Sequence, residues 1–592
     1  MKAGAWAALA VIALLFGALL VLSKSTVWGW VLALLLLASF ALLYGRVERS
    51  WLRAACWLGL LILFALTLKL GEAPYRAIPA VSAKDPAVTE IVQVSQGKLT
   101  GVYNEDGSVE VYAGIPYAKP PVGELRWREP QEPESWEGVR ACDTFAPMSM
   151  QKRNPVIVDS LTTIVAFHNF RYDPFKSFRE PVSEDSLYLN IWKPAGEVKD
   201  APVLFFIHGG SLQTGQPSYG EYNGESLAKQ GVIVVNFGYR LNIFGYFASE
   251  ELAAESPNDT TGNYGLLDQI AALRWVHENI AAFGGDADNI TIAGESAGAS
   301  SVGALCVSPL AKGLFRRAVA ESSGITPVKP YHTFRAYDDA LELGRKVLAE
   351  QGAANVQALR AIPAEKLLSS ADPYNAMTVD GYAITEQPYL TYERGENNEE
   401  ALLNGFNSHE ADLFNFFLKV STGNYDETLR AIFAGHTDEV EALYPAATDA
   451  EAKANVNTIL SAAWFAYSHY DWSRCMTAQG KPVYEYCFTR ANGGLSNNHG
   501  GEMPYVFGNL GTQPYNYAPE DWTLSERMQR YWVNFARTGD PNGEGLPYWP
   551  TYAESPGRPL KLDAKIEPVE DPYLKLYEII DLRQREIRDG IE

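Results

Sequence analysis

Apolar positions crowd the front of the chain. Residues 3–22 and 27–44 carry no charge, and a third run, 51–70, has charges only near its ends, at Arg53 and Lys69. Twenty helical residues at about 1.5 Å each span about 30 Å, the thickness of a bilayer's hydrocarbon core. A signal peptide has a shorter apolar stretch, roughly 7–15 residues, before a small-residue cleavage site. Three successive long runs therefore predict three transmembrane helices. Trp28, Trp30, Tyr44, Trp51 and Trp57 lie within or near their ends, as interfacial anchors would. The link 45–53 holds Arg46, Arg49 and Arg53, and the positive-inside rule puts it in the cytoplasm with the N-terminus. Everything after residue 70 is then extracytoplasmic. The expected division is a membrane anchor over 1–71, a proline- and alanine-containing linker over 72–87, and one large body over 88–592.

In that body the pattern shortens. Two alternating segments within 93–112 flank Asp106-Gly107, a hairpin signal. Continuous apolar runs at 202–207, 232–237, 289–293 and 317–322 predict buried strands. Residues 264–282 have helical periodicity, with Leu267, Ile270, Leu273 and Val276 near one face. A helix rich in small residues follows the strand 289–293. Residues 401–406 and 482–488 look like late strands, and 325–400 and 410–470 like helical insertions over one end of the sheet. Buried strands alternating with helices predict an α/β fold with a mostly parallel central sheet covered by helices on both faces.

Charge changes the picture more than composition does. The formal net charge is -22; residues 1–70 contribute +5, so the rest of the chain carries -27. A body that acidic repels polyanions, which excludes a nucleic-acid partner. The five cysteines, at 56, 142, 306, 475 and 487, have neither metal-ligand spacing nor the pattern of a disulfide scaffold. They are expected to be buried thiols, with a pairing of Cys475 and Cys487 left open. Oligomeric state is not legible.

Between the strand 289–293 and its following helix stands Gly294-Glu295-Ser296-Ala297-Gly298, a G-x-S-x-G sequence. Such a turn is so tight that the serine takes a strained backbone geometry, which pushes its hydroxyl above the sheet. A serine hydroxyl is a poor nucleophile alone; a histidine must take its proton and a carboxylate must orient that histidine. In chain order the base follows the serine. His168, His208 and His277 precede Ser296, and of the five that follow, His499 stands after the strand 482–488 across a glycine- and asparagine-rich loop. His332, His409, His436 and His469 lack that setting.

The motifs Gly262-Asn-Tyr-Gly-Leu-Leu-Asp268, Phe283-Gly-Gly-Asp286 and Gly294–Gly298 carry a family resemblance, with Ser183-Glu-Asp-Ser-Leu-Tyr-Leu-Asn190, Gly238-Tyr-Arg-Leu-Asn242, His499-Gly-Gly-Glu502 and Trp532–Pro541. Together they resemble the type-B carboxylesterase/cholinesterase family of α/β-hydrolases, in family order, from about residue 90 to 560. The resemblance implies an α/β-hydrolase fold, a bacterial-type serine carboxylesterase acting through an acyl-enzyme on a small-molecule ester, and no metal or organic cofactor. It also implies that Glu410, after the strand 401–406, is the orienting acid, with Asp412 and Asp380 behind it. Backbone N–H donors for the oxyanion are then Ala297 and, from the turn His208-Gly209-Gly210-Ser211, Gly210 and Ser211. His208 itself reads as structural.

Two departures from the family pattern are informative. The cysteine pair of its extracellular members corresponds to Ser149 and Ser186, so that disulfide is not expected. The stretch 175–180, where cholinesterases place a tryptophan for quaternary ammonium, holds three charges and no tryptophan, which argues against choline esters. One alternative is a binding or adhesion protein on the same scaffold; relatives of that kind lack an intact triad. Another is hydrolysis of amides or thioesters by the same groups.

Overall fold

The computed structural model describes residues 3–167, 172–324, 334–370, 376–415, 418–491, 497–512 and 516–590, so the positions of His168 and His332 lie outside it. The described chain divides into two units, 1–77 with 153–181, and 78–152 with 182–592.

The second unit is built on eleven strands, numbered here in chain order: β1 Val102–Tyr103, β2 Val109–Pro116, β3 Tyr188–Pro194, β4 Ala201–Ile207, β5 Ile233–Phe237, β6 Gly285–Glu295, β7 Arg317–Glu321, β8 Ala401–Asn407, β9 Val483–Phe488, β10 Leu560–Leu562 and β11 Glu567–Pro568. Their order in space is 11-10-9-8-7-6-4-5-3-2-1. Strands β5, β4, β6, β7, β8, β9 and β10 are parallel neighbours, while β1–β3 and β11 pair antiparallel. Every residue of β4, β5, β7, β8 and β9 is buried, because a parallel strand has helices on both sides.

Alternation along each strand divides its side chains between two cores. Val203, Phe205 and Ile207 of β4 join one apolar cluster and Leu204 and Phe206 the other. The first face receives two helices, here numbered after the four of the first unit: α5 Tyr264–Asn279 through Leu266, Leu273 and Val276, and α6 Ala297–Val307 through Val302 and Leu305. The second face receives α7 Pro519–Thr538 through Leu524, Met528, Trp532 and Phe535. The long helical insertion runs from Tyr425 to Ala478 and contains a π-helical turn, Ala462–Ala466.

The first unit holds α1 Ala3–Leu22, α2 Val27–Tyr44, α3 Ser50–Leu70 and α4 Val156–Phe167. Leu9, Phe16, Leu20, Phe40, Leu60 and Phe64 share one cluster, in which the rings of Phe16 and Phe64 stack at 3.9 Å. The segment 153–181 joins these helices through Trp30, whose Nε1 donates to Tyr172 at 2.7 Å, and through Arg179, which donates to Ala73 O and pairs with Glu72. α1, α2 and α3 are long and apolar enough to cross a membrane by length and composition.

Candidate active site

The geometry starts from the turn between β6 and α6. Ser296 has φ 57° and ψ -126°, a left-handed backbone that costs of order 1–3 kcal/mol outside glycine. It is held there by tight packing. A Cβ on Gly294 would lie 2.5 Å from the backbone of Gly298, and one on Gly298 would lie 2.0 Å from Ile207 O. The Ser296 N–H also donates to Glu321 O at 2.8 Å, tying the turn to the end of β7.

Above that turn a hydrogen-bonded chain runs through three side chains. Ser296 Oγ lies 2.7 Å from His499 Nε2, and His499 Nδ1 lies 2.6 Å from Glu410 Oε2. Glu410 is fully buried, and its other oxygen accepts the Asn407 N–H at 2.7 Å, just where β8 ends. The Phe414 and Phe465 rings flank the imidazole, at 5.2 and 4.7 Å. Asp412 instead contacts His409, and Asp380 accepts from Thr260 and caps its own loop. His436 meets Glu586, and His469 is fully buried on the helix after the π turn.

The turn after β4 abuts Ser296: a Cβ on Gly209 would stand 2.9 Å from Ser296 Cβ. Gly210 has φ 105° and Ser211 φ 56°, while Ala297 opens α6, where the first N–H groups have no intrahelical acceptor. His208 is buried, stacks on Tyr239 at 4.6 Å, and is pushed down to about 4 by that burial. Its carbonyl accepts the Tyr239 hydroxyl at 2.8 Å. It braces the turn, as a structural histidine does.

Sequence reasoning missed a set of buried carboxyls around His499. Glu295 Oε1 is 3.3 Å from His499 Nε2. Glu502 accepts from Ser322 Oγ and Asn407 Nδ2, and Glu321 accepts from Trp532 Nε1 at 3.1 Å. Burial raises all three, Glu295 to about 7 and Glu502 to about 8, with Glu321 well above its ordinary range. Burial opposes charge on His499 as well, but Glu295, Glu410 and Glu502 outweigh it and raise the imidazole to about 9. Glu295 and Glu502 do stand in quoted motifs, beside Ser296 and three residues after His499, but only the fold shows that they are buried.

A cavity of about 80 Å³ opens on Ser296 and Ala297, walled in part by Leu212, Phe334, Met377 and Phe465. Larger cavities of about 230 and 290 Å³ meet at Glu129-Pro130-Gln131, away from this serine. Chemistry rather than volume locates the site. Among the described residues no cluster of His, Cys, Asp or Glu fits a metal ion. The five cysteines are free thiols, and Ser149 Oγ donates to Ser186 Oγ at 3.0 Å where the family's disulfide would stand.

A strained serine at a strand–helix turn, over a mostly parallel sheet and joined to a histidine and a buried carboxylate, defines a serine hydrolase of the α/β-hydrolase class. The match to known proteins is narrower: residues 88–576 fit the carboxylesterase family, and the chain belongs to it. It is a serine carboxylesterase. It is 34% identical over 506 residues to a fumonisin B1 esterase of Sphingopyxis macrogoltabida, 82% of this chain and 88% of that one. It is also 34% identical to a para-nitrobenzyl esterase of Bacillus subtilis, over 82% of this chain and 96% of the relative. A crystal structure of a carboxylesterase from Geobacillus stearothermophilus superposes with a TM-score of 0.70 at 34% identity, covering 83% of this chain and all of that one.

These relatives correct the membrane expectations. They are soluble esterases, and the family match begins only at residue 88. The α/β-hydrolase fold stands, but the three transmembrane helices before it, the membrane as a partner and the extracytoplasmic placement are withdrawn. Length and hydropathy establish only that a helix is able to cross a bilayer. The same apolar residues also serve to pack α1, α2 and α3 on one another, as Phe16, Phe40 and Phe64 do.

Proposed function

We propose that Ser296 is the nucleophile, His499 the general base and acid, and Glu410 the group that orients His499. Ser296 Oγ attacks the ester carbonyl carbon while its proton passes to His499 Nε2. The oxyanion so formed accepts from the N–H groups of Gly210, Ser211 and Ala297. On collapse the C–O bond to the alcohol breaks, and His499 returns the proton to the departing oxygen. Water then attacks the acyl-enzyme by the same route, releasing the acid and restoring the serine. Glu410 Oε2 accepts the His499 Nδ1–H and so leaves Nε2 turned toward the nucleophile. The observation that carries this reading is the chain of hydrogen bonds from Ser296 through His499 to Glu410, 2.7 and 2.6 Å long.

The catalytic domain is residues 88–592, preceded by a separate segment over 1–71 and a link over 72–87. The names of two relatives supply first substrates to assay, a para-nitrobenzyl ester and fumonisin B1. The decisive experiment is Ser296→Ala. With p-nitrophenyl butyrate, kcat is expected to fall by about 10⁴-fold or more, with urea unfolding unchanged. A fluorophosphonate should label the parent protein and leave the variant unlabelled. Hydrolysis at the parent rate by the folded variant would remove Ser296 from this role.

A further inference from the structure

Two serines beside the nucleophile have no part in the proton relay. Ser300 lies four residues after Ser296 on α6, one helical turn along the same face and about 6 Å away by helical rise. Its hydroxyl is 2.7 Å from that of Ser323, just past the end of β7, and either oxygen is able to donate. Both residues line the cavity that opens on Ser296. Among the other described residues of that wall, which include Ser211 and Ser296, the large side chains are apolar: Leu212, Phe334, Met377 and Phe465 are each at most 4% exposed.

A hydroxyl has one donor and two acceptor sites. The Ser300–Ser323 bond uses one of the pair's two O–H groups, so one donor remains, on whichever oxygen accepts. A hydrocarbon group filling the cavity would displace water from that donor and return nothing, and an unsatisfied polar group disfavours binding. An oxygen on the substrate would replace the lost partner. The cavity's side of the reaction follows from the proton path. The alcohol leaves toward His499 Nε2, whereas the described residues lining the cavity include Ser211 and Ala297 but not His499. The group that enters is the acyl group.

We propose that the Ser300–Ser323 hydroxyl pair is a specificity determinant, selecting esters of short acids that carry a hydroxyl or carbonyl oxygen two or three bonds beyond the reacting carbon. This rests on the reading of Ser296 as the nucleophile. The spacing suits a 3-hydroxyacyl or 3-oxoacyl group, whose second oxygen reaches one helical turn along α6.

The test compares kcat/KM for the p-nitrophenyl esters of 3-hydroxybutyrate and butyrate, which share a leaving group. The parent protein is expected to favour the hydroxy ester by roughly tenfold, about one hydrogen bond's worth of discrimination. In S300A/S323A the ratio should fall close to one, mainly through slower hydrolysis of the hydroxy ester. Ser300→Thr, which keeps a hydroxyl, should retain a preference. A parent ratio of one, or an unchanged ratio in the double variant, overturns the proposal. Fluorophosphonate labelling in parallel separates the two levels. A folded parent that does not label sinks the assignment of Ser296 and this inference with it; labelling with an unmoved ratio sinks the inference alone.

Discussion

At His499 Nε2 two oxygens compete, Ser296 Oγ at 2.7 Å and Glu295 Oε1 at 3.3 Å. The first must be the partner when the imidazole acts as base; the second favours the imidazolium. Protonated His499 cannot accept the serine proton, so activity should appear as pH rises through the pKa of His499. Neighbouring carboxylates raise that pKa, to about 9 from the ordinary 6.5. The rising limb of the pH profile of kcat/KM is therefore expected well to the alkaline side of 6.5. Glu295 is the largest of the charges that raise it. Replacing it by Gln removes a negative charge and so destabilises the imidazolium, moving the limb toward lower pH. An unmoved or alkaline-shifted limb in Glu295→Gln would show that Glu295 does not act on the base. At this scale the sequence was legible where a residue sits in a motif with a mechanism, as Ser296 does. It was silent on Ser300 and Ser323, because nothing in the spacing of two ordinary serines announces that their hydroxyls meet.

The turn that carries Ser296 depends on β4, β6 and α6 meeting closely. Gly298, in the first turn of α6, faces Ile207 O so closely that an added Cβ would sit 2.0 Å from it, and the obstructing atom is backbone. A close-packed interior has no room to yield there. Gly298→Ala should therefore destabilise the protein by about 2–3 kcal/mol, read as a lower urea midpoint at unchanged slope, and slow acylation by displacing the nucleophile. A midpoint within error of the parent would mean that α6 shifts away from β4 without penalty. These central elements were readable because each is a buried run closed by a turn sequence. The periphery was not. The short strands β10 and β11, at one end of the sheet, have three and two residues, too few to show a period. α4 lies in a stretch whose polar flanks gave no sign that 153–181 packs with the N-terminal helices, since those contacts join residues more than a hundred positions apart.

All six residues proposed for catalysis, Gly210, Ser211, Ser296, Ala297, Glu410 and His499, lie in the second structural unit. That unit also holds both faces of the sheet and their apolar clusters. The first unit has a core of its own, drawn from α1, α2 and α3. Hydrolysis should therefore survive removal of residues 1–77, with kcat/KM for p-nitrophenyl butyrate within about threefold of the full chain. The segment 153–181 should respond differently. Its hydrogen bonds through Tyr172 and Arg179 are to Trp30 and Ala73, both of which the truncation deletes. Segments that lose their packing partners open more readily and are cut sooner. Limited trypsin digestion of the truncated protein is expected to cleave within 153–181, at Arg153, Lys176 or Arg179, faster than in the full chain. A truncated protein that folds cooperatively yet hydrolyses no ester would mean that the catalytic site is not complete within the second unit. Unchanged cleavage in 153–181 would mean instead that the segment owes its order to the unit that remains.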